Sequence, residues 1–197
     1  MTINVFIRKA KNFFPFIFKA FKLSFFWFLA NRARFSPLRK FFPKLPNVIW
    51  RFCGVKLGKN VVITQDVYFD VEFAKYITIE DNVGFGPQAA IFAHRRVMDD
   101  YHAGGNYWEC PQKPRPVHIK KGAFIGIRAL ITPGVTIGEG AVIGAGSVVV
   151  KDIPDWCLAA GSPCKVMRYL PKKGYYYNKE TKQNEPIPGY EGEIVSK

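Results

Sequence analysis

The first 65 residues of this 197-residue chain contain no aspartate and no glutamate. They hold 13 of its 29 lysines and arginines, so the net charge of +14 belongs to the N-terminus and the rest is nearly balanced. A block of one sign calls for an anionic partner, either nucleic acid or the cytoplasmic face of a membrane. Cysteine is scarce as well: Cys53, Cys110, Cys157 and Cys164 form no C-x-x-C pair and lie far apart. A chain of this size needs no covalent staples, so they are expected to be reduced, structural cysteines of a cytosolic protein, and no metal site is expected. An uninterrupted apolar run of spanning length is also missing. Residues 13–30 come nearest, and Lys19 and Lys22 in the middle of that stretch argue against a spanning helix.

What the N-terminus does have is phenylalanine. At about 100° per residue, Arg8, Lys11, Lys19 and Lys22 share a sector of roughly 80°, which leaves a broad face of Phe, Ile, Leu and Trp. Pro15 either starts a second helix or kinks the first. Downstream, Arg32, Arg34, Arg39, Lys40 and Lys44 alternate with aromatics and prolines, as in a polybasic segment lying on anionic lipid. Residues 1–46 are therefore expected to be a basic amphipathic helical segment that holds the protein on the inner face of the cell membrane. Packing of the same face on the body or on a neighbouring subunit is the alternative. A signal peptide fits less well because lysines interrupt its apolar core. No nucleic-acid partner is expected, since an arm made to neutralise phosphates has no use for so many clustered phenylalanines.

Beyond Gly54 the chain repeats. Every sixth residue from Val55 is Val55, Val61, Val67, Phe73, Ile79, Phe85, Ile91 and Val97, and the count resumes as Ile119, Ile125, Ile131, Ile137, Ile143 and Val149. A helix would carry such positions around its whole surface, and a plain strand needs only a period of two. A three-sided solenoid satisfies a period of six: each side offers one inward aliphatic, stacked about 4.8 Å from its counterparts. Ala123, Ala129, Ala141 and Ser147 are expected near the corners, with Gly126, Gly138 and Gly144 freeing the backbone to turn. The mainly β body is expected at 47–168, with an irregular loop thrown out at 98–117 and an extended tail at 169–197 that packs on a solenoid end or a neighbour.

Residues 117–168, VHIKKGAFIGIRALITPGVTIGEGAVIGAGSVVVKDIPDWCLAAGSPCKVMR, closely resemble the hexapeptide-repeat acyltransferases, above all the maltose and galactoside O-acetyltransferases and the polysaccharide O-acetyltransferases. The resemblance implies a left-handed parallel β-helix, a homotrimer with active sites in clefts between neighbouring coils, and acetyl-CoA as acyl donor. It places the catalytic histidine just before the extruded loop, where GFGPQAAIFAH ends on His94. Imidazole suits the task because it can take a proton from a hydroxyl at physiological pH. An acceptor at its other ring nitrogen must fix the tautomer, and Asp99, Asp100, Glu109 or a backbone carbonyl are candidates. His102 is a rival on a mobile loop, and His118 is expected to face solvent beside inward Ile119.

For the donor, the resemblance implies an oxyanion-binding amide near Gly126 and Ile127. It also implies small residues Gly144, Ala145 and Gly161 along the pantetheine arm, and Lys151, Lys165 and Arg168 near the phosphates. A purely structural role for the small residues is an open alternative. Ala93, Gln88 and Phe124 depart from residues common in the family, which bears on the acceptor rather than the chemistry. The acceptor expected is a sugar hydroxyl on a membrane-associated glycan or glycolipid precursor. A free sugar or xenobiotic acceptor, or a non-catalytic scaffold, are the other readings.

Overall fold

In a computed structural model, which describes residues 44–173 and 175–188, the hexads wind into a three-sided parallel β-helix. The first coil is β1 (Lys56–Leu57), β2 (Val62–Ile63) and β3 (Tyr68–Phe69); the second is β4 (Ile77–Ile79), β5 (Gly84–Phe85) and β6 (Ala90–Ile91). A hairpin of β7 (His94–Arg96) and β8 (Gln112–Pro114) then leaves the coil. The third coil is β9 (Val117–Ile119), β10 (Phe124–Ile125) and β11 (Leu130–Ile131), and the fourth is β12 (Thr136–Ile137), β13 (Val142–Ile143) and β14 (Val148–Val149). Each side pairs in parallel with the same side of the next coil, giving three faces: β1-β4-β9-β12, β2-β5-β10-β13 and β3-β6-β11-β14.

Inside run three aliphatic and aromatic ladders. Leu57, Ile79, Ile119 and Ile137 stack on the first face, Ile63, Phe85, Ile125 and Ile143 on the second, and Phe69, Ile91, Ile131 and Val149 on the third. Two residues before each stands a second inward side chain, smaller everywhere but at Ile77, and this is the role of Ala123, Ala129, Ala141 and Ser147. This arrangement corrects the count through the first coil. Val55, Val61 and Val67 are buried, but in the smaller slot; the larger one belongs to Leu57, Ile63 and Phe69. Phe69 and Ile79 stand ten positions apart where the hexad allows six, so the corner between β3 and β4 carries four extra residues. Phe73 lies on that bulge, half-buried, and Val97 lies on the excursion; neither belongs to the ladders.

The corners also differ from expectation. Gly126, Gly138 and Gly144 do not adopt left-handed backbone; that conformation recurs every six residues at Asn60 and Asp66, at Asn82 and Gln88, and from Gly122 through Arg128, Gly134 and Gly140 to Gly146. Gly126 is small for a different reason: a Cβ there would lie 2.5 Å from the carbonyl oxygen of Ile143 in the next coil.

The ends are closed. Helix α1 (Leu45–Cys53) lies over the first coil, with Trp50 edge-on to Phe69 at 4.9 Å. Asn47 donates to the Val61 carbonyl at 2.7 Å and Arg51 to the Gly58 carbonyl at 2.6 Å, satisfying groups that an open solenoid end leaves unpaired. At the other end β15 (Cys157–Gly161) continues the second face and turns back as antiparallel β16 (Cys164–Tyr169). The tail then forms a hairpin of β17 (Tyr175–Asn178) and β18 (Gln183–Pro186). The amphipathic segment expected at 1–46 lies, apart from residues 44–46, outside the described residues. Among the described residues no helix is long and apolar enough to cross a membrane.

Candidate active site

His94 stands where the chain leaves the coil. Phe92 still donates to the Ile131 carbonyl at 3.1 Å, Ala93 is fully buried, and Arg115 donates to the Ala93 carbonyl at 2.8 Å to close the root of the excursion. The loop expected at 98–117 makes up most of the outer part of this excursion, which leaves at His94 and rejoins the coil at Val117. His94 is thus held by the stem of a hairpin rather than by a free loop.

Its orientation comes from one coil below. Asp70 follows β3, donates its N–H to the Ile91 carbonyl at 3.0 Å, and is only 2% exposed. Its Oδ2 accepts the Ala93 N–H at 3.0 Å and faces His94 Nδ1 at 2.5 Å. Phe73, on the bulge that follows, stacks on the imidazole with centroids 4.4 Å apart. A buried carboxylate is an acceptor, so the proton sits on Nδ1 and the lone pair on Nε2. The orienting group was expected among Asp99, Asp100, Glu109 and backbone carbonyls, and the structure corrects this to Asp70. The Asp100 carbonyl instead faces His102 Nδ1 at 3.2 Å, and Glu109 accepts from Asn106 at 3.0 Å. Asp70 was missed because 24 residues of sequence become one coil spacing in a solenoid. Burial and the Asp70 and Glu72 carboxylates push the neighbouring Tyr68 phenol up from its usual range, keeping it protonated.

The imidazole, 22% exposed, opens on a cleft of about 540 Å³ lined by Phe92, Arg96, Asp99, Tyr107, Leu130 and Thr132 among others. The other histidines are elsewhere. His102 is exposed on the loop, and His118 lies on the outer side of β9, its Nε2 2.7 Å from Glu80 Oε1. Among the described residues no group of three or more His, Cys, Asp or Glu side chains is placed to hold a metal ion.

The residues expected to meet the donor fall at a different corner. Gly126, Ile127, Gly144 and Ala145 follow the second face, stacked coil on coil, and Gly161 ends β15 beside them. Of the two amides, that of Gly126 already donates to the Ile143 carbonyl at 2.9 Å. The Ile127 N–H has no acceptor among the described residues, and a Cβ on Gly86 would sit 2.7 Å from its nitrogen, so a bare glycine keeps that donor reachable. Gly144 is small on structural grounds alone, since a Cβ would come within 2.8 Å of Ala160 Cβ. Gly161 donates to Ser147 Oγ at 3.2 Å, and Ser147 donates to the Gly144 carbonyl at 2.7 Å.

Lys165 pairs across the strands with Ala160, and Arg168 with Leu158. The Arg168 guanidinium lies 4.3 Å over the Tyr177 ring, and its Nη1 is buried with no acceptor among the described residues. An orphaned guanidinium donor suits a phosphate oxygen, so the residues present fit the phosphate-bearing end of a coenzyme A thioester. Lys151 sits apart, one coil beyond Pro133 at the corner that follows the third face, which is the corner of His94. Within one chain His94 and most of the residues expected to meet the donor therefore lie on different edges of the prism.

The family described as bacterial transferase hexapeptide (six repeats) matches residues 116–151. A Staphylococcus aureus (strain Mu50) protein, named provisionally as an acetyltransferase, is 46% identical over 117 residues, 59% of this chain and 56% of that protein. The chain thus spans little more than half the length of that relative. YvoF of Bacillus subtilis (strain 168), also named provisionally as an acetyltransferase, is 32% identical over 136 residues, covering 68% of this chain and 70% of YvoF. A solved galactoside acetyltransferase in complex with coenzyme A superposes with a TM-score of 0.61 at 26% identity, covering 85% of this chain and 88% of that one. With the six-residue repeat, this match implies the left-handed hand expected for the coil.

Proposed function

Because this chain belongs to the hexapeptide-repeat acyltransferases, we propose that it transfers an acetyl group from acetyl-CoA to a sugar hydroxyl, with His94 as general base. The observation that carries this reading is the buried Asp70 against His94 Nδ1, which leaves Nε2 as the basic atom above a cleft large enough for a sugar. The acceptor hydroxyl gives its proton to Nε2 as its oxygen bonds to the thioester carbonyl carbon. The carbon–sulfur bond then breaks and the proton passes from Nε2 to the departing thiolate. Charge that builds on the carbonyl oxygen needs a donor already in place, and the Ile127 N–H is the unengaged one. Lys165 and Arg168 would hold phosphate oxygens of the donor, and Lys151 adds positive charge on the edge that carries His94.

Since the base and the donor residues occupy different edges, a complete site calls for a second copy. The outer side of the second face is apolar, with Val62, Phe124, Val142 and Leu158 in one ladder over Gly84. The third face presents Tyr68, Ala90, Leu130 and Val148, while the first presents Lys56, Thr78, His118 and Thr136. Two apolar outer faces on one prism suit copies of the same chain packed side by side, and we read the assembly as a homotrimer.

The acceptor is a glycan or glycolipid precursor on the inner face of the cell membrane. Residues 1–46, with their basic sector and phenylalanine-rich face, would keep the protein where that acceptor is made. The test is acetyl transfer by the full chain, followed as thiol release from acetyl-CoA and as acetylated glycan by mass spectrometry. Transfer that disappears in His94→Ala supports the reading, and equal transfer by that variant refutes it.

A further inference from the structure

Trp108 is 76% exposed, more than any other large apolar side chain among the described residues. It is nevertheless fixed. Its backbone N–H donates to Asn106 Oδ1 at 3.0 Å, its carbonyl accepts from Arg96 Nη1 at 3.0 Å, and the Arg96 guanidinium lies 5.0 Å from its ring centroid. Arg96 Nη1 also donates to the Cys110 carbonyl at 2.6 Å. Arg96 shares a side of β7 with His94, two residues away, so the tip of the excursion is tied to the strand that carries the base.

The rings form a row: Tyr101 is edge-on to Tyr107 at 6.2 Å, and Tyr107 to Trp108 at 5.8 Å. Tyr107 lines the His94 cleft; Trp108 does not, and stands one ring further out. In the same loop a second cleft of about 300 Å³ is lined by Asp100, His102, Asn106 and Glu109 with Tyr101. A preorganised aromatic surface with planar polar side chains beside it matches the two chemistries of a pyranose, whose C–H face is apolar and whose rim carries hydroxyls.

We infer that the tip of the excursion is a second saccharide subsite, so that the acceptor is the end of an oligosaccharide whose reacting sugar lies at His94 and whose next sugar stacks on Trp108. This rests on the reading above, that the acceptor is a sugar hydroxyl.

The experiment uses the full chain, acetyl-CoA, and methyl glycosides of one, two and three sugar units in the glucose and galactose series, with kcat/KM taken from thiol release. In the wild type kcat/KM rises about 10-fold from one unit to two, the roughly 1.4 kcal/mol that one aromatic contact supplies. Trp108→Ala abolishes that ratio and Trp108→Tyr keeps most of it. Equal kcat/KM for one and two units in the wild type overturns the inference, as does a Trp108→Ala ratio equal to the wild-type one. A change of oligomeric mass in Trp108→Ala overturns it as well, because the ring then serves contact between copies. If no glycoside is acetylated while thiol release still depends on His94, the inference falls and the base assignment stands. If thiol release is independent of His94, the catalytic reading itself has failed.

Discussion

The role proposed for His94 requires the second nitrogen of its imidazole to be occupied, and a carboxylate buried one coil away occupies it. Asp70→Asn keeps the shape but replaces an acceptor with a group that can also donate to Nδ1, which releases the tautomer. It is expected to lower kcat about 10²-fold, the cost of misplacing a catalytic group, while KM for acetyl-CoA changes little; initial rates at varied acetyl-CoA check it. The same scale governs the thiols. Burial pushes Cys157 and Cys164 up from the usual thiol range, so near pH 8 less thiolate is present than in a free cysteine, and it accumulates only as pH rises towards the shifted values. Half-buried Cys110 is therefore expected to react with iodoacetamide well before either, as peptide mass spectrometry after timed labelling at pH 8 will show.

At the scale of a strand pair, stability resides in the inward ladders and in corners too tight for side chains. Ile131→Ala, between Ile91 and Val149, is expected to cost about 2–5 kcal/mol. Gly144→Val, pressed on Ala160, should cost at least the roughly 1–3 kcal/mol of an overpacked core, and urea melts followed by circular dichroism check both. The ladders were readable because a solenoid turns a spatial stack into a fixed spacing, as Ile119, Ile125 and Ile131 demonstrate. The bulge at 70–76 was not, because four added residues moved the count from the small inward slot to the large one without breaking the run of apolar letters. That error hid Phe73 and Asp70 together, the two residues that hold His94. A better guide was the left-handed position, where Asn60, Asp66, Asn82 and Gln88 keep their own hexad on either side of the insertion. Helix α1 escaped notice for another reason: over the nine residues Leu45–Cys53 its apolar pattern is short and follows two prolines, and tertiary contact of Trp50 with Phe69 supplies what propensity lacks.

For the molecule as a whole, the basic and aromatic residues are concentrated in the first 43 positions, and the sequence beyond residue 65 is nearly neutral. Removing residues 1–43 takes away nine basic side chains and no acidic one. The shortened protein is expected to keep its coil and, in light scattering, the same number of copies per particle as the full chain. It should also keep transfer to soluble glycosides, yet no longer sediment with vesicles containing phosphatidylserine. Retained sedimentation would place the lipid-binding surface on the coil instead.

In the proposed reaction Nε2 of His94, poised by Asp70, removes the acceptor's proton. Its test is the rate of acetyl ester formation from acetyl-CoA by the wild type and by His94→Ala, compared at equal protein concentration with circular dichroism confirming the coil in both. The variant is expected to lose about 10² to 10⁴-fold, the range a general base supplies. A folded variant that forms ester at the wild-type rate would contradict it.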